Sequence, residues 1–477
     1  MIRRPNYSGP KGALVQYVSF SRVDDEPLAG AGKRTATRAL RLRFYAAILI
    51  LDALAVILGI GLASYLRFDA ALSPEAITLT AGLIPLFCFL DLGNLRPDYL
   101  NDWRRSILSM VIALAKAVLL LLFFGFILHA IGQASRLLFG YGMALTLGIA
   151  IVLRAVIVTM SSKIFRGGAV NHVLLLDGVS MDLPAGPAGQ SVMEVERIDA
   201  NDFNDPYLLD QLARRFADVD QLSVACRPER RRDWAMALKG ISVRADILIP
   251  ELDELGSVGQ ALVAGSSTIL VSTNPLSPYD RIVKRGVDVL LAAIALAFLA
   301  PLLLVVAVAV KLDSRGPVFF RQQRVGYGNR LFLMYKFRSM RVETSDLKGG
   351  RSASRDDDRI TRVGRIIRAT SIDELPQLLN VLRGEMSVVG PRPHALGSLA
   401  GDQLFWHVDA RYHHRHACKP GLTGLAQVRG LRGATHKRED LVSRLQADLE
   451  YLNNWSIWRD ILIMLSTVRV IVHRNAY

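Results

Sequence analysis

The sequence predicts a multidomain membrane protein: a four-helix transmembrane bundle, a central Rossmann-like α/β domain, and a C-terminal α-rich domain with a re-entrant membrane helix. Three observations carry that prediction. Four apolar runs near the start are each close to the ~20 residues that span a bilayer as a helix. Strand-like and helix-like segments alternate between residues 172 and 252. A long uncharged stretch, Val289 to Val310, is interrupted by Pro301.

The bulk properties agree. A chain of 477 residues accommodates two or three domains. Hydrophobic residues make up 51%, and mean hydropathy is positive, which points to membrane segments. The net charge of +15 fits basic cytoplasmic loops beside anionic lipid, and equally a polyanionic substrate. No basic recognition module is present, so nucleic acid is not an expected partner. Cys88, Cys226 and Cys418 lie far apart with no CxxC pair, which argues against a disulfide framework or a zinc site. Residues 1–43 form a polar, basic cytoplasmic segment without an early apolar core, so no cleavable signal peptide is expected.

The span region is 44–161, with apolar runs at about 44–66, 76–93, 107–131 and 137–160. Basic residues fall on alternate sides of these runs. Lys33, Arg34, Arg38, Arg41 and Arg43 precede the first, Arg96, Arg104 and Arg105 follow the second, and Lys163 and Arg166 follow the fourth. The other two gaps hold only Arg67 and Arg136. The bias places the N-terminus and the chain after 161 in the cytoplasm. Lys116, His129 and Arg154 lie in or beside the runs, where snorkelling or interhelical pairing stands against a functional role.

Residues 162–272 read as the α/β domain. "HVLLLD" (172–177), "QLSVAC" (221–226) and "ADILIPEL" (245–252) are strand candidates. "DPYLLDQLARRFADVD" (205–220) and "RRDWAMALKG" (231–240) have helical character. Alternation of this kind predicts a parallel sheet. The turn after the first strand, "DGVSMDLPAG", lacks G-x-G-x-x-G, so a regulatory or dimerising role is favoured over nucleotide binding. Residues 273–281 form a polar, Pro-bearing linker to the final unit, 282–477.

The stretch at about 284–311 opens that unit. A fifth crossing would export a segment dense in Arg, Lys and His, against the basic-inside bias. Pro301 removes a backbone donor and clashes with the preceding turn, so it predicts a kink. Two short halves dipping into one leaflet and returning satisfy both constraints, whereas periodicity alone allows a simple kinked span.

Further on, "ATSIDELPQLLNVLRGEMSVVGPRP" (369–393) holds Leu375, Leu378, Leu379 and Leu382 at helical spacing, with Gly384 as a stop. Ser371 and Glu374 could form a capping box, but Pro376 argues that the helix starts there. Asp373 and Glu374 then stand just ahead of it. Adjacent carboxylates could bind Mg²⁺, and one could attack an electrophilic phosphorus. Lys336 and Arg338 in "YKFRSM", Arg365 and Arg368 in "GRIIRAT", and Arg392 in "GPRP" are cations suited to phosphate oxygens. Together these features suggest phosphoryl chemistry at a bilayer surface, where a protein mainly positions groups and neutralises charge.

"KRGVDV", "DSRGPVFFRQQRVGYGNRLFLMYKFRSM", "DRITRVGRIIRATSIDELPQLLNVLRGEMSVVGPRP", "KPGLTGLAQVRG" and "DLEYLNNWSIWRDILIMLSTV" resemble the bacterial polyprenyl-phosphate sugar phosphotransferases, the monotopic phosphoglycosyl transferases. The similarity covers nearly all of 281–477, and four spans plus an α/β domain resemble the long members that initiate exopolysaccharide or O-antigen synthesis. The resemblance implies a catalytic C-terminal domain on the cytoplasmic face of the bacterial inner membrane, with a multi-pass anchor. It implies a helix break at a Ser-Pro pair, here Ala300-Pro301, so the family hydroxyl is absent. It also implies that Asp373 attacks the sugar-bearing phosphate of a UDP-sugar, releasing UMP, and that undecaprenyl phosphate takes up the phosphosugar. Mg²⁺ at the Asp373-Glu374 dyad, phosphate contacts at Arg368 and Arg392, membrane lipid and a homodimer complete the expectation. Glucose is the sugar suggested by the long-member resemblance.

Other segments weigh less. "HHRH" (413–416) could bind metal, although a cationic loop near phosphate fits its spacing better. "RDDDR" (355–359) could bind Mg²⁺ or be a solvated loop, and "KPGLTG" (419–424) reads as a turn closing the site. Trp455, Trp458, Ile461, Leu462, Leu465 and Val468 form an apolar stripe suited to core packing or to a lipid interface. A membrane scaffold and a transporter are the competing classes. The dyad and arginines oppose the first, and the scarcity of acidic residues in the spans opposes the second.

Overall fold

The computed structural model describes residues 31–71, 73–127, 135–165, 169–179, 193–197, 202–255, 261–263, 266–341, 359–431, 435 and 437–472. His129 and most of "RDDDR" lie outside them. The chain starts with four long helices, α1 (Ala31–Phe68), α2 (Pro74–Leu92), α3 (Trp103–Ile127) and α4 (Arg136–Phe165). Ala55, Val56 and Ile60 of α1 pack with Leu83 and Phe87 of α2, Met110 and Ala113 of α3, and Ala150 of α4. The outward faces are apolar too, with Leu119 and Phe126 largely exposed. Helices apolar all round belong in lipid. With one later helix, five in the described residues are long and apolar enough to cross a membrane.

Arg154 is buried in this bundle and pairs with Asp52 of α1 at 2.7 Å and Asp91 of α2 at 2.6 Å. The pairing alternative was the right one for Arg154. The two acidic partners went unnoticed because they are single residues in otherwise apolar runs. Lys116 is exposed on α3. The N-terminal part of α1 reaches past the bundle: Arg41 donates to Ala169 O at 2.7 Å and forks onto Asp220 at 2.6 and 2.8 Å.

Asp220 borders a six-stranded sheet. Its strands are β1 (His172–Asp177), β2 (Met193–Arg197), β3 (Gln221–Cys226), β4 (Arg244–Leu248), β5 (Ala261–Val263) and β6 (Ser266–Ser272), in the order β2-β1-β3-β4-β6-β5. The first four are parallel, as the alternating pattern predicts, and β6 and β5 add an antiparallel edge. The third predicted strand stops at Leu248, because a 3-10 turn begins at Pro250. Strands β2, β5 and β6 were not foreseen. Helices α5 (Pro206–Arg215) and α6 (Arg231–Gly240) cover the sheet, with Leu212, Phe216, Trp234 and Leu238 in its core. At the end of β1, Asp177 accepts from Trp234 Nε1 at 2.7 Å and pairs with Arg230 at 2.9 Å.

The next helix, α7 (Pro278–Asp313), begins with a capping box between Ser277 and Asp280. It contains Pro301 within its length, and the chain is helical on both sides of Ala300-Pro301. Proline deletes one main-chain donor, and the neighbouring intrahelical bonds carry the helix past it. Both ends of α7 are fastened to the same C-terminal unit. That unit comprises the hairpin β7 (Phe319–Val325) and β8 (Leu331–Phe337), then α8 (Arg362–Ala369), α9 (Gln377–Arg383), β9 (Ser387–Val389), the short pair β10 (Leu399–Ala400) and β11 (Gln403–Leu404), α10 (Phe405–Val408), β12 (Gly421–Thr423), α11 (Leu425–Val428), α12 (Arg438–Asn453) and α13 (Ile457–Val472). Near the start of α7, Ala292, Leu296 and Leu299 pack on Met334, Leu378 and Met386. Near its end, Val306 and Val310 pack on Phe337 and Ile367. Its other face carries Leu290, Ile294, Phe298, Leu304 and Leu312 exposed.

The sheet meets the C-terminal unit directly. Asp210 accepts from Leu331 N–H at 2.7 Å, and Arg214 donates to Leu331 O at 2.9 Å. Gly240 lies so close to the His413 main chain and the Asn329 side chain that a Cβ would clash.

Replacing Arg154 with Met would strip two buried carboxylates of their counter-charge, a change of about 3–5 kcal/mol. We expect the melting temperature of the full chain in detergent to fall by roughly 5–15 °C. Arg154→Lys should recover part of the loss. An unchanged melting temperature would show that the triad does not hold the bundle.

Candidate active site

Asp373 and Glu374 sit in a 3-10 turn, Ile372–Glu374, between α8 and α9. The residue before it, Ser371, adopts a left-handed conformation at φ 56°, uncommon for a residue with a Cβ. Its side chain caps nothing, so the capping-box alternative is absent. Helix α9 starts one residue after Pro376 and stops at Gly384, whose φ is 85°, as expected for the C′ position. Arg285 of α7 donates to the Val381 and Leu382 carbonyls and finishes that helix end.

Two cations hold Glu374. Lys336, from β8, reaches Oε1 at 2.8 Å. Arg392 forks onto both oxygens at 2.6 and 3.2 Å. The β8 strand is locked to α9 by Asn380, which accepts from Tyr335 N–H at 3.0 Å and donates to Leu333 O at 2.7 Å. Burial alone would push the Glu374 carboxyl up, but the charges and hydrogen bonds of Arg392 and Lys336 hold it well below the usual range. Asp373 has the opposite fate. It is buried, and among the described residues no hydrogen bond or ion pair engages its carboxylate. Burial pushes its carboxyl up, the Glu374 charge adds to this, and Lys336, Arg368 and Arg392 oppose it.

The dyad therefore pairs a neutralised carboxylate with an unengaged one. Among the described residues no cluster of three or more His, Cys, Asp or Glu could cage a metal. Two adjacent carboxylates with one free still fit Mg²⁺, which keeps water and takes substrate phosphate oxygens to complete its shell.

The structure brings Lys336, Arg368 and Arg392 to the dyad and sends two expected cations elsewhere. Arg338 is buried and donates to Val310 O at 3.1 Å, Ser314 O at 2.6 Å and Arg315 O at 3.1 Å. It satisfies the orphan carbonyls at the end of α7, the usual need of a helix terminus. Arg365 is exposed on α8, and it is not among the charges that act on Asp373. The four side chains of "HHRH" diverge. His414 meets Met236 O at 3.1 Å, and His416 meets Asn329 at 2.5 Å. Burial pushes His413 down to about 3 and His414 down to about 4, so the positive charge of the segment is carried by Arg415, and no metal-holding group of three is found among the described residues. "KPGLTG" supplies β12, which pairs with β9 in parallel. The α13 stripe divides: Trp455 bonds Asp460, while Trp458, Leu462 and Leu465 are exposed.

Sequence reading missed a second layer of charge. Arg324 of β7, Arg415, Arg444 and Asp448 surround His394 directly behind Arg392. Arg324 is pushed down to about 10 by burial and then by Arg392. Two arginines in "RQQRVG", one of them Arg324, do not show by spacing which turns inward, and Asp448 lies more than fifty residues beyond Arg392.

Paired acids and convergent cations give the site a chemistry suited to an anionic group. Residues 279–474 match the family model described as bacterial sugar transferase. The chain is 49% identical over 234 residues to the UDP-glucose:undecaprenyl-phosphate glucose-1-phosphate transferase of Caulobacter vibrioides, covering 48% of this chain and 86% of that protein. It is 50% identical over 189 residues to the exopolysaccharide production protein PSS of Rhizobium leguminosarum, covering 40% of this chain and 94% of that protein. It is 48% identical over 258 residues to the undecaprenyl-phosphate glucose phosphotransferase of Komagataeibacter xylinus, covering 53% of this chain; the match spans about half the length of that relative, 48%. The chain belongs to the bacterial sugar transferase family.

The two carboxylates predict opposite stability effects. The Glu374 contribution is present above its ordinary value of 4.5 and is lost as pH falls through its depressed folded value. The charged form of Asp373 is penalised in the folded state, so protonation relieves a cost that grows as pH rises through its raised value. At pH 7, Asp373→Asn should raise the melting temperature, and Glu374→Gln should lower stability by about 2 kcal/mol. Differential scanning of both variants checks this, and the reverse order would contradict the charge assignment.

Proposed function

We propose that this protein transfers glucose-1-phosphate from UDP-glucose to undecaprenyl phosphate, releasing UMP. The observation that carries the reading is the unengaged Asp373 beside a Glu374 already neutralised by Lys336 and Arg392. An Asp373 oxygen attacks the sugar-bearing phosphorus, the bond to the bridging oxygen breaks, and UMP leaves with that oxygen. An oxygen of the lipid phosphate then attacks the same phosphorus and frees Asp373. Arg392, Lys336 and Arg368 lower the repulsion an anionic nucleophile meets at a diphosphate. Asp373 and Glu374 would hold Mg²⁺, which when bound supplies further charge neutralisation. The names of the Caulobacter and Komagataeibacter relatives support glucose and undecaprenyl phosphate as the substrates.

The seat of the reaction is the cytoplasmic face of the bacterial inner membrane. α7 dips into that leaflet and returns, because both of its ends bind one polar unit while its free face is apolar. Residues 282–477 form the catalytic domain, 44–161 the anchor, and 162–272 a regulatory or dimerising module of a homodimer.

Two outcomes are expected. UDP-glucose with Mg²⁺ and no lipid should label the full chain with phosphosugar, and Asp373→Asn should abolish both label and turnover, with ping-pong kinetics in the wild type. A labelled Asp373→Asn adduct would remove Asp373 as nucleophile. For topology, a cysteine at Arg315→Cys, in a Cys88→Ser background, should resist an impermeant reagent applied outside intact cells. Robust labelling there would refute the re-entrant arrangement.

A further inference from the structure

The loop that carries Arg392 has no regular structure, and Pro391 and Pro393 bring no main-chain donors. It is held instead through its carbonyls. Val389 O accepts from Lys284 Nζ at 3.0 Å and Tyr451 OH at 3.2 Å. Pro391 O accepts from Gly421 N–H at 3.0 Å, and Pro393 O from Arg324 Nη1 at 3.3 Å. Arg392 O itself accepts from Arg415 Nη2 at 2.7 Å.

Arg415 differs from the other donors. Its side chain is 1% exposed and pairs with Asp448 at 2.8 Å. Its Nη1 also lies 2.5 Å from His394 Nδ1, an atom that Tyr412 OH meets at 2.8 Å. One guanidinium thus grips residues 392 and 394 on either side of Pro393. A guanidinium buried this deeply is unfavourable without a counter-ion, and well-packed apolar side chains would serve simple packing as well. Its geometry matters for what it holds. Arg392 recognises carboxylate or phosphate through a planar fork, and misplacement of such a clamp by about 1 Å lowers rates by roughly 10²-fold.

We infer that Arg415 is a positioning residue of the active site: it fixes the backbone of Arg392 so that the Arg392 fork meets Glu374 and substrate phosphate, and Asp448 is the counter-ion that keeps it there. The inference rests on the proposed function, in which Arg392 acts on the sugar-bearing phosphate. Lysine at 415 keeps the charge but cannot bond Arg392 O, His394 and Asp448 together.

A double-mutant cycle on UMP release by the full chain, with UDP-glucose, Mg²⁺ and undecaprenyl phosphate, separates positioning from folding. In the wild-type background Arg415→Lys should lower kcat/KM by roughly 10- to 100-fold. In an Arg392→Lys background the same change should alter it less than about 3-fold, because the fork it positions is gone. An equal factor in both backgrounds, or no loss in the wild type, overturns the inference. Asp448→Asn carries the same cycle with the same criteria should Arg415→Lys fail to fold. An Arg392→Lys variant as active as the wild type would remove the role of Arg392 and the inference with it. A wild type that releases no UMP would instead overturn the proposed function itself.

Discussion

The ion pair between Lys284 and Asp460, 2.6 Å long and buried on both sides, is the joint on which the C-terminal unit depends. Lys284 stands where the apolar part of α7 begins, and Asp460 lies in the first turn of α13. The same lysine donates to Val389 O, and the same carboxylate accepts from Tyr451 OH at 2.7 Å and Trp455 Nε1 at 3.2 Å. A little further along α7, Asp288 accepts from Ser387 Oγ and Val388 N–H, both at 2.9 Å. The membrane helix, two C-terminal helices and the strand leading to Arg392 therefore meet in one polar knot. Buried charges of this kind are tolerated only when fully paired, so the knot admits few alternative geometries. At the far end of α7, Arg338 provides a second fixed point. A helix held at both ends by one unit moves with that unit as one body.

The same logic governs charge. At the dyad Lys336 and Arg392 balance Glu374, with Arg368 near Asp373. Behind them Asp448 faces Arg415 and Arg444, while Arg324 feels Arg392 and Glu374. The excess is positive in both layers, and arginines that cannot shed their protons near neutral pH keep it so. The arrangement holds unfavourable like-charge contacts that a bound anion would relieve.

Much of this was legible in the sequence for definite reasons. Continuous apolarity marks spans, strict strand-helix alternation marks a parallel sheet, and Pro376 and Gly384 bracket α9 by backbone chemistry alone. The dyad could be read because its two acids are adjacent and stand beside a helix start. Arg338 shows the limit. Its residue type fits phosphate, but its partner is decided by where α7 ends, a tertiary fact. Asp52 and Asp91 were invisible for a similar reason, since each is a lone acid until Arg154 is brought between them. Strand β5 is a three-residue edge too short to show a period, and β6, between β4 and β5, does not alternate buried and exposed residues. "HHRH" misled because histidine suggests chemistry, whereas burial leaves these imidazoles neutral and turns the segment into structural filling around Arg415.

That segment also changes how the sheet domain is understood. His414 bonds the Met236 carbonyl on α6, Gly240 admits the His413 main chain, and Arg415, the next residue after His414, holds the Arg392 carbonyl. Only three consecutive residues, all in one tight 3-10 turn, separate a helix of the sheet domain from the fork at Glu374. Arg41 of α1 grips Asp220 just before β3, so the sheet domain is tied to the bundle as well as to the C-terminal unit. A shift of α6 by a fraction of an ångström has nowhere to dissipate in so closely packed an interface. It must either be resisted by the Arg415–Asp448 pair or be passed to Arg392. The sheet domain thus packs against the residues that hold Arg392, while Glu374 of the dyad is held by Lys336 and Arg392 of the C-terminal unit itself.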